Sequence, residues 1–220
     1  MKKLKNKDKI IFIDFDGTLV NSFNAHIKSF NDAFLKNDLP PVYPKKILQV
    51  FGVPSEEIIK KLFPKLPKNK LRKIAEDKKQ FFIKKYYKLV RVFPKINSTL
   101  AKLSKKALLI LETNASEKEV RKVAKCCGLK LRYFDLILSK EKVKHRKPNP
   151  EVIKKAEKIL GKCKVEYVVG DSFIDVLLAR KARAKSVIIV NEVNKDNLKE
   201  ILKYKPDFIV NSFDKILKII

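Results

Sequence analysis

Four short stretches of this chain carry side chains able to do chemistry together. The first is Asp14-Phe15-Asp16-Gly17-Thr18, reached from the unbroken apolar run at 10–13. Side chains two apart on an extended segment point the same way, so Asp14 and Asp16 face one site and Phe15 faces away. Two such carboxylates repel and lift one pKa unless a cation sits between them. Gly17 permits a tight turn that brings backbone N–H groups round towards the same spot, a cradle for an anion. Asp171 and Asp175, one helical turn apart in Gly170-Asp171-Ser172-Phe173-Ile174-Asp175, offer hard oxygen ligands that with Asp14 suit an octahedral Mg²⁺. Thr113 and Asn114 follow the apolar stretch 107–111, where a hydroxyl and backbone N–H groups can hold an anion beside the next helix. Lys147, before Pro148-Asn149-Pro150, can pair with Asp14 and with that anion. Each stretch alone has a plainer reading: an acidic loop after a strand, a helix cap at Asp171, a first-turn acid at Asp175, a turn at Thr113-Asn114, a solvated lysine.

These residues need strand ends to hold them. The run at 10–13 suits a strand covered on both faces, as in parallel sheets, and ligands of open α/β sheets bind at the strands' C-terminal ends. The periodicity then becomes helical. Phe23, Ile27, Phe30 and Phe34 make one face of a helix over 22–37, and Pro40, Pro41 and Pro44 end it. A short helix at 45–50, one at 56–63 capped by Ser55, and a long one at 69–89 with Leu71, Ile74, Ala75, Phe82 and Tyr86 on a stripe follow, so 20–91 reads as all-helical. From Val92 helices and strands alternate. Strands are expected at 107–111, 135–139, 165–169, 186–190 and 207–210. Helices are expected from Asn97 or Ser98, from the capping box Ser116/Glu119 to Gly128, from Asn149 to Leu160, after Asp171 and from Ser212. This alternation predicts an α/β fold, a Rossmann-like parallel sheet with helices on both faces. It gives a core of 1–19 with 92–220 and a small all-helical domain of 20–91 inserted after the first strand.

The four stretches together resemble the haloacid dehalogenase superfamily of phosphohydrolases. Its motifs run Asp-x-Asp-Gly-Thr, a strand-terminal Thr or Ser, Lys before Pro-x-Pro, and Gly-Asp-x-x-x-Asp, and all four occur here in that order. The resemblance implies a phosphatase in which Asp14 attacks phosphorus to form an aspartyl phosphate, and Asp16 protonates the leaving oxygen and then activates water. It implies phosphate held by Thr113, Asn114 and Lys147, with Gly17 shaping the loop. It also implies Mg²⁺ on Asp14, the main-chain carbonyl of Asp16 and Asp171, with Asp175 acting through water. Asp16 argues against halide chemistry, because the dehalogenase branch replaces it. Residues 20–91 resemble the family's class-one cap, which closes over the site and selects the leaving group. Val20-Asn21-Ser22 stands where relatives have Val-Asp-Ser, and Arg183-Ala184 where they have Ala-Gly. His26 falls where sugar-phosphate mutases often carry His, but their Arg after the cap glycine has no counterpart near Gly52. Gly52-Val53-Pro54 is closer to phosphoglycolate phosphatase-like members, and Lys45, Lys46 and Ser55 are candidate substrate contacts.

Composition sets the outer bounds. The 220 residues allow one core plus a small insert. No stretch approaches the ~20 apolar residues of a membrane span. The Lys-rich start leads only into the short run that ends at Asp14, so no signal peptide is expected and a cytoplasmic protein is. Cys126, Cys127 and Cys163 fit no zinc spacing, and reduced thiols are the expectation. The net charge of +28 favours an anionic substrate or partner. Lysines spread through every helix, with Gly scarce, read more readily as a general surface bias than as a nucleic-acid face. The expected function is Mg²⁺-dependent hydrolysis of a small phosphomonoester, phosphoglycolate-like or a sugar phosphate. The alternatives are a phosphomutase of the β-phosphoglucomutase type and a nucleic-acid-binding or nucleotide-end phosphatase. Oligomeric state is left open.

Overall fold

The computed structural model describes residues 9–161 and 164–220. Cys163 and the first eight residues, on which part of the leader and domain readings rests, lie outside them. In chain order the elements begin with β1 (Lys9–Ile13), β2 (Val20–Asn21), α1 (Phe23–Lys36), α2 (Pro44–Gln49), α3 (Ser55–Leu62), α4 (Lys68–Lys84) and β3 (Arg91–Val92). They continue with α5 (Ile96–Lys106), β4 (Leu108–Glu112), α6 (Glu117–Cys127), β5 (Leu136–Leu138), α7 (Glu151–Leu160), β6 (Lys164–Gly170), α8 (Phe173–Ala182), β7 (Lys185–Ile189), α9 (Leu198–Leu202) and β8 (Phe208–Val210). The chain divides into two compact units, one of Met1–Val20 with Val92–Ile220 and one of Asn21–Arg91.

The first unit is an α/β domain built on a parallel six-stranded sheet in the order β5-β4-β1-β6-β7-β8. Parallel strands need crossovers, and helices supply them, so both sheet faces are covered. Ile10 and Phe12 pack with Leu108, Ile110 and Val168 against Val152, Ile153 and Ala156 of α7 and Leu178 and Ala179 of α8. The alternate residues Ile11, Ile13, Leu109 and Leu111 are just as deeply buried. That explains why β1 and β4 read as continuous apolar runs instead of alternating ones. Register matters most for the chemistry. Ile13 pairs with Leu111 on one side and with Val169 on the other. Asp14, Glu112 and Gly170 therefore leave three adjacent strands at one level.

The second unit is helical. Ile27, Phe30 and Phe34 of α1 meet Ile47 of α2, Ile58 and Ile59 of α3 and Leu71 and Ile74 of α4 in one apolar core. A separate two-stranded sheet, β2 with β3, lies at the two points where the chain passes between the units. Residues 20–91 are thus not purely helical. The long helix expected to reach Leu89 stops at Lys84, because Lys85 leaves helical geometry (φ −120°, ψ −56°), and a 3₁₀ turn at Tyr86–Leu89 continues it. Ser55 is the first helical residue and does not cap α3, whose flanking residue is Pro54.

Two helix starts in the first unit also differ from expectation. Lys95, left-handed at φ 60°, precedes α5. Asn97 instead joins α5 to the end of α6, donating to the Gly128 carbonyl at 2.9 Å and accepting from the Lys130 amide at 2.9 Å. Helix α7 begins at Glu151, with Asn149 accepting from that residue's amide at 2.9 Å. The capping box Ser116/Glu119 and the left-handed Gly128 bound α6 as the sequence predicts. Helix α9 has no counterpart among the predicted elements, and the last segment, Phe213–Lys218, is 3₁₀ instead of α.

Candidate active site

Lys147 is the centre of the site. It leaves the loop between β5 and α7, is buried, and its Nζ reaches three carboxylates: Asp14 at 2.5 Å, Asp175 at 3.0 Å and Glu112 at 3.1 Å. Burial alone would lower a lysine pKa, but Asp14, Asp175 and Glu112 hold this one well above the usual range, so it stays charged. Asp14 gives Oδ1 to Lys147 and its amide to the Val169 carbonyl at 2.9 Å. Its Oδ2 accepts no hydrogen bond from the described residues. Burial pushes the Asp14 carboxyl up, Lys147 opposes this, and Asp175 and Glu112 add to it.

Asp175 is nearly fully buried in the first turn of α8. Oδ2 accepts from the Ser172 amide at 3.1 Å and hydroxyl at 2.7 Å, as a first-turn acid should, while Oδ1 faces Lys147. Gly170 makes room for it: a Cβ there would stand 2.1 Å from the Asp175 Cγ. Asp171 is half-buried beside them, and the cap before α8 is Ser172 rather than Asp171. The Asp171 carboxylate receives no hydrogen bond from the described residues, and burial followed by the charges of Asp14 and Asp175 raises its pKa well above the ordinary value.

Carboxylate oxygens of Asp14, Asp171 and Asp175 lie within 4.8 Å of one another. Two buried acids and a half-buried one this close, with Asp14 and Asp171 pushed towards protonation and Asp171 without a donor, are a donor set that a small hard cation would satisfy. The residues therefore fit Mg²⁺.

The remaining predicted residues flank this centre. Asp16 follows Asp14 by two residues, half-buried, and bridges to Val20. Gly17 is left-handed at φ 79°, as the turn requires, but its amide donates to the Val20 carbonyl at 2.8 Å and closes the turn itself. The Gly17 amide is thus spent within the turn and does not face an anion, contrary to what the sequence alone predicts. Thr113, buried, gives its amide to the Leu138 carbonyl, and its Oγ1 accepts from the Ala115 amide at 3.0 Å, leaving the hydroxyl hydrogen to donate. Asn114 follows it, half-buried, on the way into α6.

Three residues enter that sequence reasoning passed over. Glu112 is one. Asn191 and Asn194, in the loop after β7, are the others. Asn191 Nδ2 donates to the Gly17 carbonyl and Asn194 Nδ2 to the Asp171 carbonyl, both at 2.8 Å, and Asn194 Oδ1 accepts from the Asn191 amide at 2.8 Å. This pair ties the loops after β1 and β6 together.

The candidate contacts Lys45, Lys46 and Ser55, and the mutase-like position His26, all belong to the helical unit, where Lys45 and Lys46 are exposed. His26 is buried there, its Nδ1 2.8 Å from Lys78 Nζ and its ring stacked on Phe82 at 4.4 Å.

A parallel α/β sheet whose central strand ends in a lysine-held aspartate, beside a cluster of acids suited to a cation, defines a phosphoryl-transfer type of centre. The model of the haloacid dehalogenase-like hydrolases matches residues 10–189, and the chain belongs to that family of hydrolases. It is 27% identical over 220 residues to the pyrophosphatase PpaX of Bacillus cereus, covering 97% of each chain. Among solved structures it resembles a haloacid dehalogenase-like family hydrolase from Streptococcus pneumoniae, with TM-score 0.82, 23% identity and 96% and 97% of the two chains covered. It also resembles a predicted phosphoglycolate phosphatase from Haemophilus somnus, with TM-score 0.77, 23% identity and 96% of each chain covered. No helix among the described residues is long and apolar enough to cross a membrane.

Proposed function

We propose that the protein is a Mg²⁺-dependent phosphatase that hydrolyses a small phosphomonoester through an aspartyl phosphate on Asp14. The observation that carries this reading is the state of Asp14 itself: one oxygen is fixed by Lys147 at 2.5 Å and the other accepts no hydrogen bond from the described residues. A carboxylate so held is oriented for in-line attack.

In the first step Asp14 attacks phosphorus, the bond to the leaving oxygen breaks, and Asp16 gives that oxygen its proton. In the second, Asp16 takes a proton from water, the water oxygen attacks phosphorus, and Asp14 is expelled as inorganic phosphate forms. Lys147 neutralises charge on the phosphoryl oxygens and on Asp14, and the Thr113 hydroxyl and Asn114 donate to the same oxygens. Asp14, Asp171 and the main-chain carbonyl of Asp16 would hold Mg²⁺, with Asp175 acting through water because its oxygens already serve Lys147 and Ser172. Bound there, Mg²⁺ supplies countercharge that lets an anionic nucleophile approach an anionic ester. Asn21–Arg91 takes the part of the cap, and the enzyme works in the cytoplasm.

The relatives' names bring two substrate chemistries forward, a small ester such as phosphoglycolate and the anhydride pyrophosphate. Release of inorganic phosphate from phosphoglycolate, sugar phosphates and pyrophosphate, with and without Mg²⁺, tests the reading. Turnover that needs Mg²⁺ and disappears in Asp14→Asn and Asp16→Asn is expected. Absence of turnover on every one by folded protein contradicts it.

A further inference from the structure

Glu112 is the buried charge that this mechanism leaves unused. It ends β4 after four buried apolar residues, Leu108-Leu109-Ile110-Leu111, and is only 5% exposed. A carboxylate is kept in such a place only when it is paired, and its partner is Lys147. The Lys147 ammonium donates to Asp14 and Asp175, while Glu112 stands 3.1 Å away as an ion-pair partner. A phosphoryl oxygen that comes up to the remaining N–H of Lys147 must therefore take the place beside the ammonium that Glu112 now fills.

The three partners differ in how firmly they are held. Asp14 is the nucleophile, aligned by its amide on β6. Asp175 is anchored through its other oxygen by Ser172. Among the described residues Glu112 is held by its ion pair with Lys147 alone, so it is the partner that can be exchanged.

We propose that Glu112 is a positioning residue whose charge holds Lys147 against Asp14 until substrate arrives, then gives up its place beside the ammonium to the phosphoryl group. Its charge thereby limits how tightly phosphate is held. This rests on the phosphatase reading. The benefit is release: a site that countered phosphate fully would retain its product.

Glu112→Gln keeps the shape and removes the charge. With Mg²⁺ present, calorimetric binding of inorganic phosphate should tighten at least about tenfold, the effect of removing one charge at a few ångströms even under water-like screening. KM should fall in parallel, and kcat should fall several-fold as product leaves more slowly. A residue that only supported packing would instead raise KM or lower the melting temperature without tightening phosphate. Glu112→Asp, with its carboxylate drawn back from Lys147, should give a smaller tightening, and it decides alone should Glu112→Gln not fold. Phosphate affinity unchanged or weakened in these variants, with wild-type turnover intact, overturns the role of Glu112 only. A wild-type protein that neither binds phosphate nor turns over an ester overturns the phosphatase reading with it.

Discussion

Two buried lysines, one in each unit, show how neighbours decide what the same side chain does. Lys147 ends among Asp14, Asp175 and Glu112, at the C-terminal ends of the parallel strands. Lys78 ends 2.8 Å from the His26 Nδ1 and 5.1 and 5.2 Å from the ring centroids of Phe30 and Phe82, within the helical unit. Both are less than a tenth exposed. Lys147 is pinned by opposite charge and can transfer that charge to a phosphoryl oxygen. Lys78 has among its neighbours an imidazole nitrogen and two aromatic faces, and these contacts join α1 to α4.

Substitutions sharpen the contrast. Lys147→Met should lower kcat by roughly three orders of magnitude, as loss of a preorganised charge at the reacting group does. Phosphate release under saturating substrate measures it, and a loss of less than tenfold breaks the comparison. Lys78→Met keeps most of the volume and should cost about 2 kcal/mol, the scale of a desolvated cation–π contact, visible as a lower melting temperature. A Lys78→Met protein that melts like wild type would remove the structural role given to that lysine.

Between these two lies a prediction on acidity. Burial and mutual repulsion raise the folded-state pKa of Asp14 and Asp171 above their unfolded values. The folded metal-free protein thus binds more protons than the unfolded chain as pH falls into the range of these raised values. Their contribution to stability is then greatest when both are protonated and is lost as pH rises through the folded pKa. Without Mg²⁺, Asp171→Asn should raise the melting temperature at neutral pH, and the gain should shrink on acidification. The same variant should lose most of its Mg²⁺ affinity. A metal-free Asp171→Asn protein that melts lower than wild type at neutral pH contradicts the electrostatic account of the cluster.

Much of this site is legible in the sequence because its chemistry sits where β1, β4 and β6 end. Asp14, Lys147, Asp171 and Asp175 converge as their spacing and flanking elements imply. Glu112 was passed over because a polar residue closing the run Leu108-Leu109-Ile110-Leu111 reads as the strand leaving the core. The signal is present: Glu112 stands one step beyond Leu111, which pairs with Ile13, so its level beside Asp14 follows once β1 and β4 are neighbours. Asn191 and Asn194 offer no such signal, since their partners lie 174 and 23 residues away and the contacts are to backbone carbonyls. Helix boundaries fared least well where the backbone decided against propensity, at left-handed Lys95 and at Lys85. Gly17 kept its conformational role, while its amide closed the turn on Val20.

The central claim, that Asp14 becomes phosphorylated while Lys147 holds it, is tested most directly by trapping the intermediate. Asp16→Asn should still form it from an ester whose leaving group needs no proton, such as p-nitrophenyl phosphate, but should hydrolyse it slowly. After rapid acid quench with Mg²⁺ present, phosphate should be found on the peptide containing Asp14, and Asp14→Asn should carry none. Release of p-nitrophenol by the wild type with no phosphorylated peptide at any time, in either the wild type or Asp16→Asn, would contradict the account.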